Sequence, residues 1–353
     1  MLQVVVVQKI IHLYWGSSMK HKKLTITFIV LDIIIAICFV VVYGVDSFKQ
    51  TIISTALTTK THQYIAYTFY SENTVKDIVS QNSYEVITDD VNLDDIVIDT
   101  SPKQSYDNEY DEAVLTREAG NEDYKYIPVK VGGYDAHLVV IYDPSKVHLI
   151  ASKAFNTGSG METVQEICER IGGKVCINGG RFKDTNGWGS DIPSGTLIKD
   201  GKIIWSDSTE RRNLIGFTND NKLLLINATA DEALTKGMRD ALEFGPFLMI
   251  NGKSIKFNST SGGYQRAARV AIAQRKDGIV LFLVTEGVHT DGPNLKEVID
   301  LLELYGAYNI ANLDGGTSAQ LVINNKLIND PRNVYGQSVT GGRKVVSGFG
   351  LLP

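Results

Sequence analysis

Hydrophobic and polar positions fall into three textures along this chain. From Leu24 to Tyr43 the chain is nearly all apolar, and Asp32 is its only charge. A helix of about 20 residues spans about 30 Å, the thickness of the bilayer hydrocarbon, so this stretch predicts one transmembrane helix. Residues 46 to 70 are polar and threonine-rich, punctuated by Tyr64, Tyr67, Phe69 and Tyr70, as in an amphipathic helix or a stalk. From Glu72 to Asp123 apolar periodicity is weak, and acids far outnumber Lys76, Lys103 and Arg117. That pattern predicts a solvated, partly disordered spacer. Near Tyr124 short apolar runs separated by turn residues begin and continue to the last residue.

Within this third region, turns at Asp200-Gly201, Asn219-Asp220-Asn221, Asn251-Gly252, Lys276-Asp277-Gly278 and Asn324-Asn325 each separate two apolar runs, the pattern of β-hairpins. Asp143-Pro144 is read the same way, between strands His137 to Tyr142 and Val147 to Ser152. Helices are expected from about Met161 to Ile171, ended by Gly172-Gly173, from Asp231 to about Phe244, and from Asn294 to Tyr305. Many hairpins with a few inserted helices predict an α+β fold, a largely antiparallel mixed sheet with several packed helices, preceded by one transmembrane helix.

The flanks of the apolar run set the expected topology. Lys20, Lys22 and Lys23 precede it, which keeps residues 1–23 cytoplasmic and exports the rest. Val42-Tyr43-Gly44-Val45 makes a poor cleavage site, so residues 24–43 read as an uncleaved signal anchor in the cell membrane. Residues 44–123 follow as stalk and acidic spacer, and residues 124–353 as the functional domain. Met19-Lys-His-Lys-Lys resembles a bacterial start, and the codons of Trp15-Gly16 place a purine-rich run just upstream of it. Met19 is therefore the expected first residue.

Charge narrows the partners. The formal net charge is −5 and the pI about 5.7, without the basic stripe that nucleic acid requires. The six histidines and three cysteines show no zinc spacing and no Cys-x-x-Cys. No cofactor is called for; a divalent metal stays open. Cys168 and Cys176 are read either as a disulfide, permitted outside the membrane, or as two buried thiols.

Chemistry concentrates at three glycine-marked corners: Asn178-Gly179-Gly180, Phe244-Gly245-Pro246 and Asn312-Leu313-Asp314-Gly315-Gly316. Each places polar groups where an apolar run stops. Paired glycines mark backbone that must bend unusually or approach another group closely. Arg266 and Arg269 precede the run Val270 to Gln274, and arginine suits bidentate recognition of phosphate or carboxylate. Asp314, Glu286, Asp191 and Asp207 are the carboxylates near such corners. Tight turns and surface charges account for each feature taken singly. Together, a carboxylate, an anion clamp and bare amides suit hydrolysis of a charged sugar linkage.

Five ordered motifs carry a resemblance: Cys176-Ile-Asn-Gly-Gly-Arg-Phe182, Pro193-Ser-Gly-Thr-Leu-Ile-Lys-Asp-Gly-Lys202, Phe244-Gly-Pro-Phe-Leu-Met-Ile-Asn-Gly-Lys253, Arg269-Val-Ala-Ile-Ala-Gln-Arg-Lys-Asp-Gly278 and Asn312-Leu-Asp-Gly-Gly-Thr-Ser318. Over about residues 125 to 353 the chain resembles the phosphodiester glycosidase family. That family includes the lysosomal uncovering enzyme and bacterial envelope proteins associated with exopolysaccharide biosynthesis. The resemblance implies cleavage of a sugar-1-phosphodiester between the anomeric carbon and the phosphate. At the matching positions Asp314 is the expected acid/base or nucleophile and Arg269 the expected phosphodiester ligand; Glu286, at the end of the run Val280 to Thr285, is the candidate second carboxylate, since glycosidases commonly use two. Asn178, Gly179, Gly180, Phe182, Gly245, Asn312, Gly315, Gly316 and Ser318 are the implied substrate-binding set. The chain departs from the family pattern at Arg181, at Val270 and Ala273, and at Thr317-Ser318-Ala319-Gln320. The expected substrate is a phosphoglycan or sugar phosphodiester of the envelope. The other reading is a non-catalytic glycan-binding module; a structural partner in an envelope assembly is a third.

Overall fold

A computed structural model describes residues 19–58, 63–81, 83–184, 189–258, 266–288 and 291–353, so the expectation about residues 1–18 lies outside the described residues. Two compact units divide at Val79 and Ser80.

In the first unit, the helix Met19–Phe39 continues into a π-helical turn, Val40–Gly44. Leu24–Gly44 is long and apolar enough to cross a membrane, with a mean hydropathy of 2.9. Three shorter helices follow, Asp46–Thr58, Gln63–Phe69 and Glu72–Gln81. The described residues of the polar, threonine-rich stretch thus fold mostly as helices. Ile53, Ala56, Ala66, Tyr70, Val75 and Ile78 form a small core among them, and the Tyr70 hydroxyl donates to the Val42 carbonyl at 2.9 Å.

In the second unit, strand alternation with both faces buried builds a seven-stranded antiparallel sheet. Its order is Lys253–Ser254, Phe247–Ile250, Ala307–Leu313, Val270–Arg275, Val280–Thr285, Tyr134–Ile141, Tyr124–Val131. Val139, Ile141, Val270, Ile272, Phe282 and Leu313 point to the central core, and Leu138, Val140, Ala271 and Leu283 to the opposite face. The helix Leu295–Leu304 covers that second face. Its start is fixed by a capping box, in which Asn294 accepts from the Glu297 amide and Glu297 accepts in return.

Two five-stranded sheets close the central core from the other side. One runs Lys202–Ser206, Thr196–Lys199, Met238–Glu243, Arg212–Thr218, Leu223–Ala228. The other runs Lys326–Leu327, Leu321–Ile323, Val175–Asn178, Ser347–Leu351, Val147–Ala151. Every strand pairing among the described residues is antiparallel. The expected α+β class with antiparallel sheets is what the chain adopts.

Three expectations change. The Asp143-Pro144 turn does not close a hairpin: Pro144–Lys146 is a 3-10 turn that carries the chain from the seven-stranded sheet to another one. The helix expected from Asp231 to Phe244 stops at Thr235. Gly237, at φ +78, turns the chain, and Met238–Glu243 becomes an inner strand bonded on both sides. Those two ladders outweigh local helix preference. The acidic stretch also departs from a free spacer. The Val97 and Asp99 amides donate to the Lys276 and Asp277 carbonyls, and Asp111 pairs with Arg275 at 2.8 Å. The helix Glu109–Leu115 presents buried Val114 to the core beneath the large sheet. Pairing with buried cations and burial of scattered apolar residues fold much of this acidic stretch onto the domain.

Candidate active site

The register of the large sheet aligns one edge of the site. Leu313 faces Val270, and Val270 faces Val284. One residue further on, Asp314, Arg269 and Thr285 come level, and one more brings Gly315, Ala268 and Glu286 level. The ladder is extended past the last strand residues: the Arg269 amide donates to Thr285 Oγ1 at 2.8 Å, and the Gly316 amide donates to the Ala268 carbonyl at 2.7 Å. Gly315 admits no side chain, because a Cβ there would lie 2.5 Å from the Ala268 carbonyl oxygen.

Asn178 joins this edge to the second sheet. Its Nδ2 donates to the Asp314 carbonyl at 2.6 Å, and its Oδ1 accepts from the Gln320 amide at 2.9 Å. The Asp314 amide donates to the Gly179 carbonyl at 2.9 Å. Asn178 is 1 % exposed and its side chain is committed on both ends, so it positions the acid. Asn178→Ala leaves the Gln320 amide and the Asp314 carbonyl without these partners. It is expected to cost about 2–4 kcal/mol in chemical denaturation, at about 1–3 kcal/mol per buried group left unsatisfied.

The two glycines after Asn178 allow close packing. A Cβ at Gly179 would lie 2.7 Å from Leu242 Cδ2, and one at Gly180 2.2 Å from Ser347 Oγ. The Gly179 amide donates to the Ser347 carbonyl, and the Gly316 amide is used as described, so two of the four corner amides are already bonded within the protein. The third corner is tied in by Asn312. Its Nδ2 donates to the Gly245 carbonyl and its amide to the Pro246 carbonyl, both at 3.0 Å.

Asp314 lies where these corners meet. The residue is only partly exposed, and surrounding protein pushes its carboxyl pKa up to about 7. The Ser318 hydroxyl, bonded to the carboxyl, and the Arg181 guanidinium oppose that rise. A carboxyl held near neutrality can take either protonation state at physiological pH, as proton transfer requires.

Arginines surround the same place. Arg343 bonds Ser318 Oγ at 3.4 Å, lies 5.1 Å over the Phe182 ring and pairs with Asp184. Burial lowers its pKa. Arg181, next in sequence to Gly180, lies 5.4 Å over the Phe244 ring. Arg343 is absent from the sequence-derived set. Its signal was a fourth glycine corner, Gly341-Gly342-Arg343, where a Cβ at Gly342 would lie 2.2 Å from Gln320 Oε1. Gln320 binds that corner in turn, donating to the Arg343 carbonyl at 2.8 Å.

Other candidates are placed elsewhere. Glu286 accepts from the Asp330 amide at 3.2 Å and lies 3.1 Å from His137 Nε2, whose Nδ1 is 2.8 Å from the Tyr126 hydroxyl. One intervening strand puts its backbone about 10 Å from that of Asp314 at ordinary strand spacing. Arg266 pairs with Glu297 at 2.5 Å. Asp191 is 5 % exposed and accepts from the Thr157, Gly158 and Gly160 amides. Burial raises its pKa, but these donors more than offset that and leave it lowered. It organises the loop before the helix Val164–Ile171. His148, Asp200 and Asp240 converge, although sequence spacing gave no such set. Arg239 Nε already bonds Asp240 Oδ2 at 2.8 Å, which supplies the positive charge a metal would bring.

The family model for phosphodiester glycosidase matches residues 172–352, and the chain belongs to that family. It is 23% identical over 215 residues to mouse N-acetylglucosamine-1-phosphodiester alpha-N-acetylglucosaminidase, covering 55% of this chain and 41% of that one. It is 28% identical over 198 residues to the SPbeta prophage-derived protein YomE of Bacillus subtilis, covering 54% of this chain and 30% of that one. The chain therefore spans less than half the length of these relatives. The zebrafish N-acetylglucosamine-1-phosphodiester alpha-N-acetylglucosaminidase catalytic domain, auto-inhibited by its pro-peptide, shares the fold. Its TM-score is 0.54 at 20% identity, over 65% of this chain and 82% of that one.

Proposed function

We propose that this protein is a membrane-anchored, extracytoplasmic hydrolase that releases a sugar from a sugar-1-phosphodiester in envelope or exopolysaccharide material. The carrying observation is Asp314, held near neutral pKa where the Asn178 corner meets the end of the strand Ala307–Leu313, with Arg181 and Arg343 beside it. The relatives named for N-acetylglucosamine-1-phosphodiesters support that substrate class. The bond broken joins the anomeric carbon to the phosphate oxygen. The phosphate monoester departs as a stable anion and the arginines neutralise it, so little protonation of the leaving group is needed. Asp314 then acts in its ionised form, as base toward water or as nucleophile toward the anomeric carbon.

Two features support the location. The helix through Leu24–Gly44 follows three lysines, the flank that stays cytoplasmic. Cys168 and Cys176 form a disulfide, which persists in oxidising compartments.

The arginines give a direct test of the phosphate site. Arg343→Ala and Arg269→Ala are each expected to raise KM for a sugar-1-phosphodiester about tenfold or more, since hydrogen bonds to charged groups contribute about 1.5–3 kcal/mol. Steady-state kinetics on the purified full chain checks this, and unchanged KM in both variants removes the arginines from phosphate recognition.

A further inference from the structure

Glu243 is a buried carboxyl that no role above uses. It ends the strand Met238–Glu243, and its neighbour Leu242 packs under Gly179 and Gly180. Its carbonyl accepts from the Arg181 amide at 3.2 Å. The strand end therefore lies directly beneath the Asn178 corner. Its side chain is 13% exposed, and Oε2 is buried without a hydrogen-bond partner. The cradle is specific: Gly195 has φ +91, and a Cβ there would lie 1.6 Å from Glu243 Oε2. Any side chain at 195 would occupy the space the carboxyl takes.

The charged surroundings connect this carboxyl to the site. Arg181 lies within electrostatic reach of both Asp314 and Glu243. Arg212 Nε is 3.9 Å from Oε2, and Arg212 is shared with Glu210 at 3.1 Å. Asp207 lies on the far side, accepting from the Gly195 amide at 3.0 Å and pairing with Lys183 at 3.7 Å. Burial raises the Glu243 pKa, with Asp207 acting in the same direction and Arg181 and Arg212 against it. Proton retention would turn an acceptor that repels phosphate into a neutral donor.

We infer that Glu243 is a substrate-contacting residue, a second carboxyl of the site whose unpaired oxygen hydrogen-bonds the phosphodiester or the adjoining sugar. The inference rests on the sugar-1-phosphodiester reading above and names a residue within that site. It assigns to Glu243 a contact that Glu286, bound to His137 and the Asp330 amide, does not make in this structure.

The test is calorimetric binding of the methyl diester of N-acetylglucosamine 1-phosphate, whose single charge is constant between about pH 5 and 9. The full-length protein carries Asp314→Asn throughout, which stops turnover and removes the titration of Asp314. In that background Glu243→Ala is expected to weaken binding about tenfold or more. With Glu243 present, affinity should fall as pH rises through the elevated carboxyl pKa. Glu243→Gln should match the Glu243 protein at the low-pH end of the range, exceed it as pH rises and show a flat profile, a readout that a misfolded variant would not give. Equal binding and equal pH dependence in all three proteins overturn the inference, as does absence of binding in the Glu243 protein. Hydrolysis by the wild type, assayed separately, keeps the two readings apart. Hydrolysis with binding independent of Glu243 sinks this inference alone; binding that depends on Glu243 without hydrolysis sinks the hydrolase reading alone.

Discussion

Asp314→Asn is expected to lower kcat on a sugar-1-phosphodiester by about 10²–10⁴-fold, the range for loss of a positioned acid–base group. The same change is expected to stabilise the fold at alkaline pH. In the folded protein the Asp314 pKa is pushed up to about 7 by burial, against about 3.9 for an unperturbed aspartate. Between those values the folded state holds a proton that the unfolded state has released. The stability contributed by Asp314 is therefore complete below about pH 4 and is lost as pH rises through about 7. Asparagine never ionises, so the variant should exceed wild type by about 1–3 kcal/mol at pH 8 and match it near pH 4. Urea unfolding at the two pH values measures this. Activity should follow the opposite sign: if the ionised acid works, kcat/KM of the wild type rises through about pH 7. A falling limb there would make Asp314 the general acid instead.

Removing the disulfide is expected to have a large effect on stability. Cys168 and Cys176 are bonded with a Cα separation of 6.0 Å, and both are fully buried. A Cβ on Gly173 would lie 2.7 Å from Cys176 Sγ and 2.9 Å from Cys168 Sγ. The bridge and Gly173, which follows the Gly172 cap of the helix Val164–Ile171, therefore fit one another. The strand reached by this loop is Val175–Asn178, whose last residue positions Asp314. Closing so short a loop contributes about 2–3 kcal/mol by the chain-entropy relation. Cys168→Ser/Cys176→Ser is thus expected to lower Tm by about 5–10 °C in a domain of this size. Scanning calorimetry with and without reductant should show the same shift in the wild type on reduction. Activity at 25 °C should change much less than stability, because the bridge touches neither Asp314 nor an arginine of the site.

Local chemistry made much of this legible in the sequence. Asp200, Asn221, Asn251, Asn324 and Asn325 adopt positive φ in the hairpin turns they mark. Asn294 caps its helix, and Gly172 ends another at φ 69. The glycine corners at 178–180 and 312–316 do meet, because their spacing reflects backbones that must approach closely. What stayed hidden depends on long-range pairing. Residues 238–243 read as helix, and only two neighbouring strands, at 196–199 and 212–218, make them a strand. That misreading also hid Glu243. Arg343 lay beyond the motifs, and only the contact of its corner with Gln320 and Ser318 brings it to Asp314. Glu286 was chosen for following a strand, a local feature that says nothing about its His137 partner. The acidic stretch misled for the same reason. Its charge is visible in sequence, while the buried Arg275 that donates to Asp111 is not.

The most direct measurement is release of reducing sugar by the purified full-length protein from a panel of sugar-1-phosphodiesters, N-acetylglucosamine esters included, with Asp314→Asn beside wild type. The predicted result is release by wild type from at least one diester, reduced about 10²-fold or more in the variant. No release by wild type from any diester, with retained glycan binding, would contradict the hydrolase reading and identify a binding module. Equal release by both proteins would remove Asp314 from the chemistry.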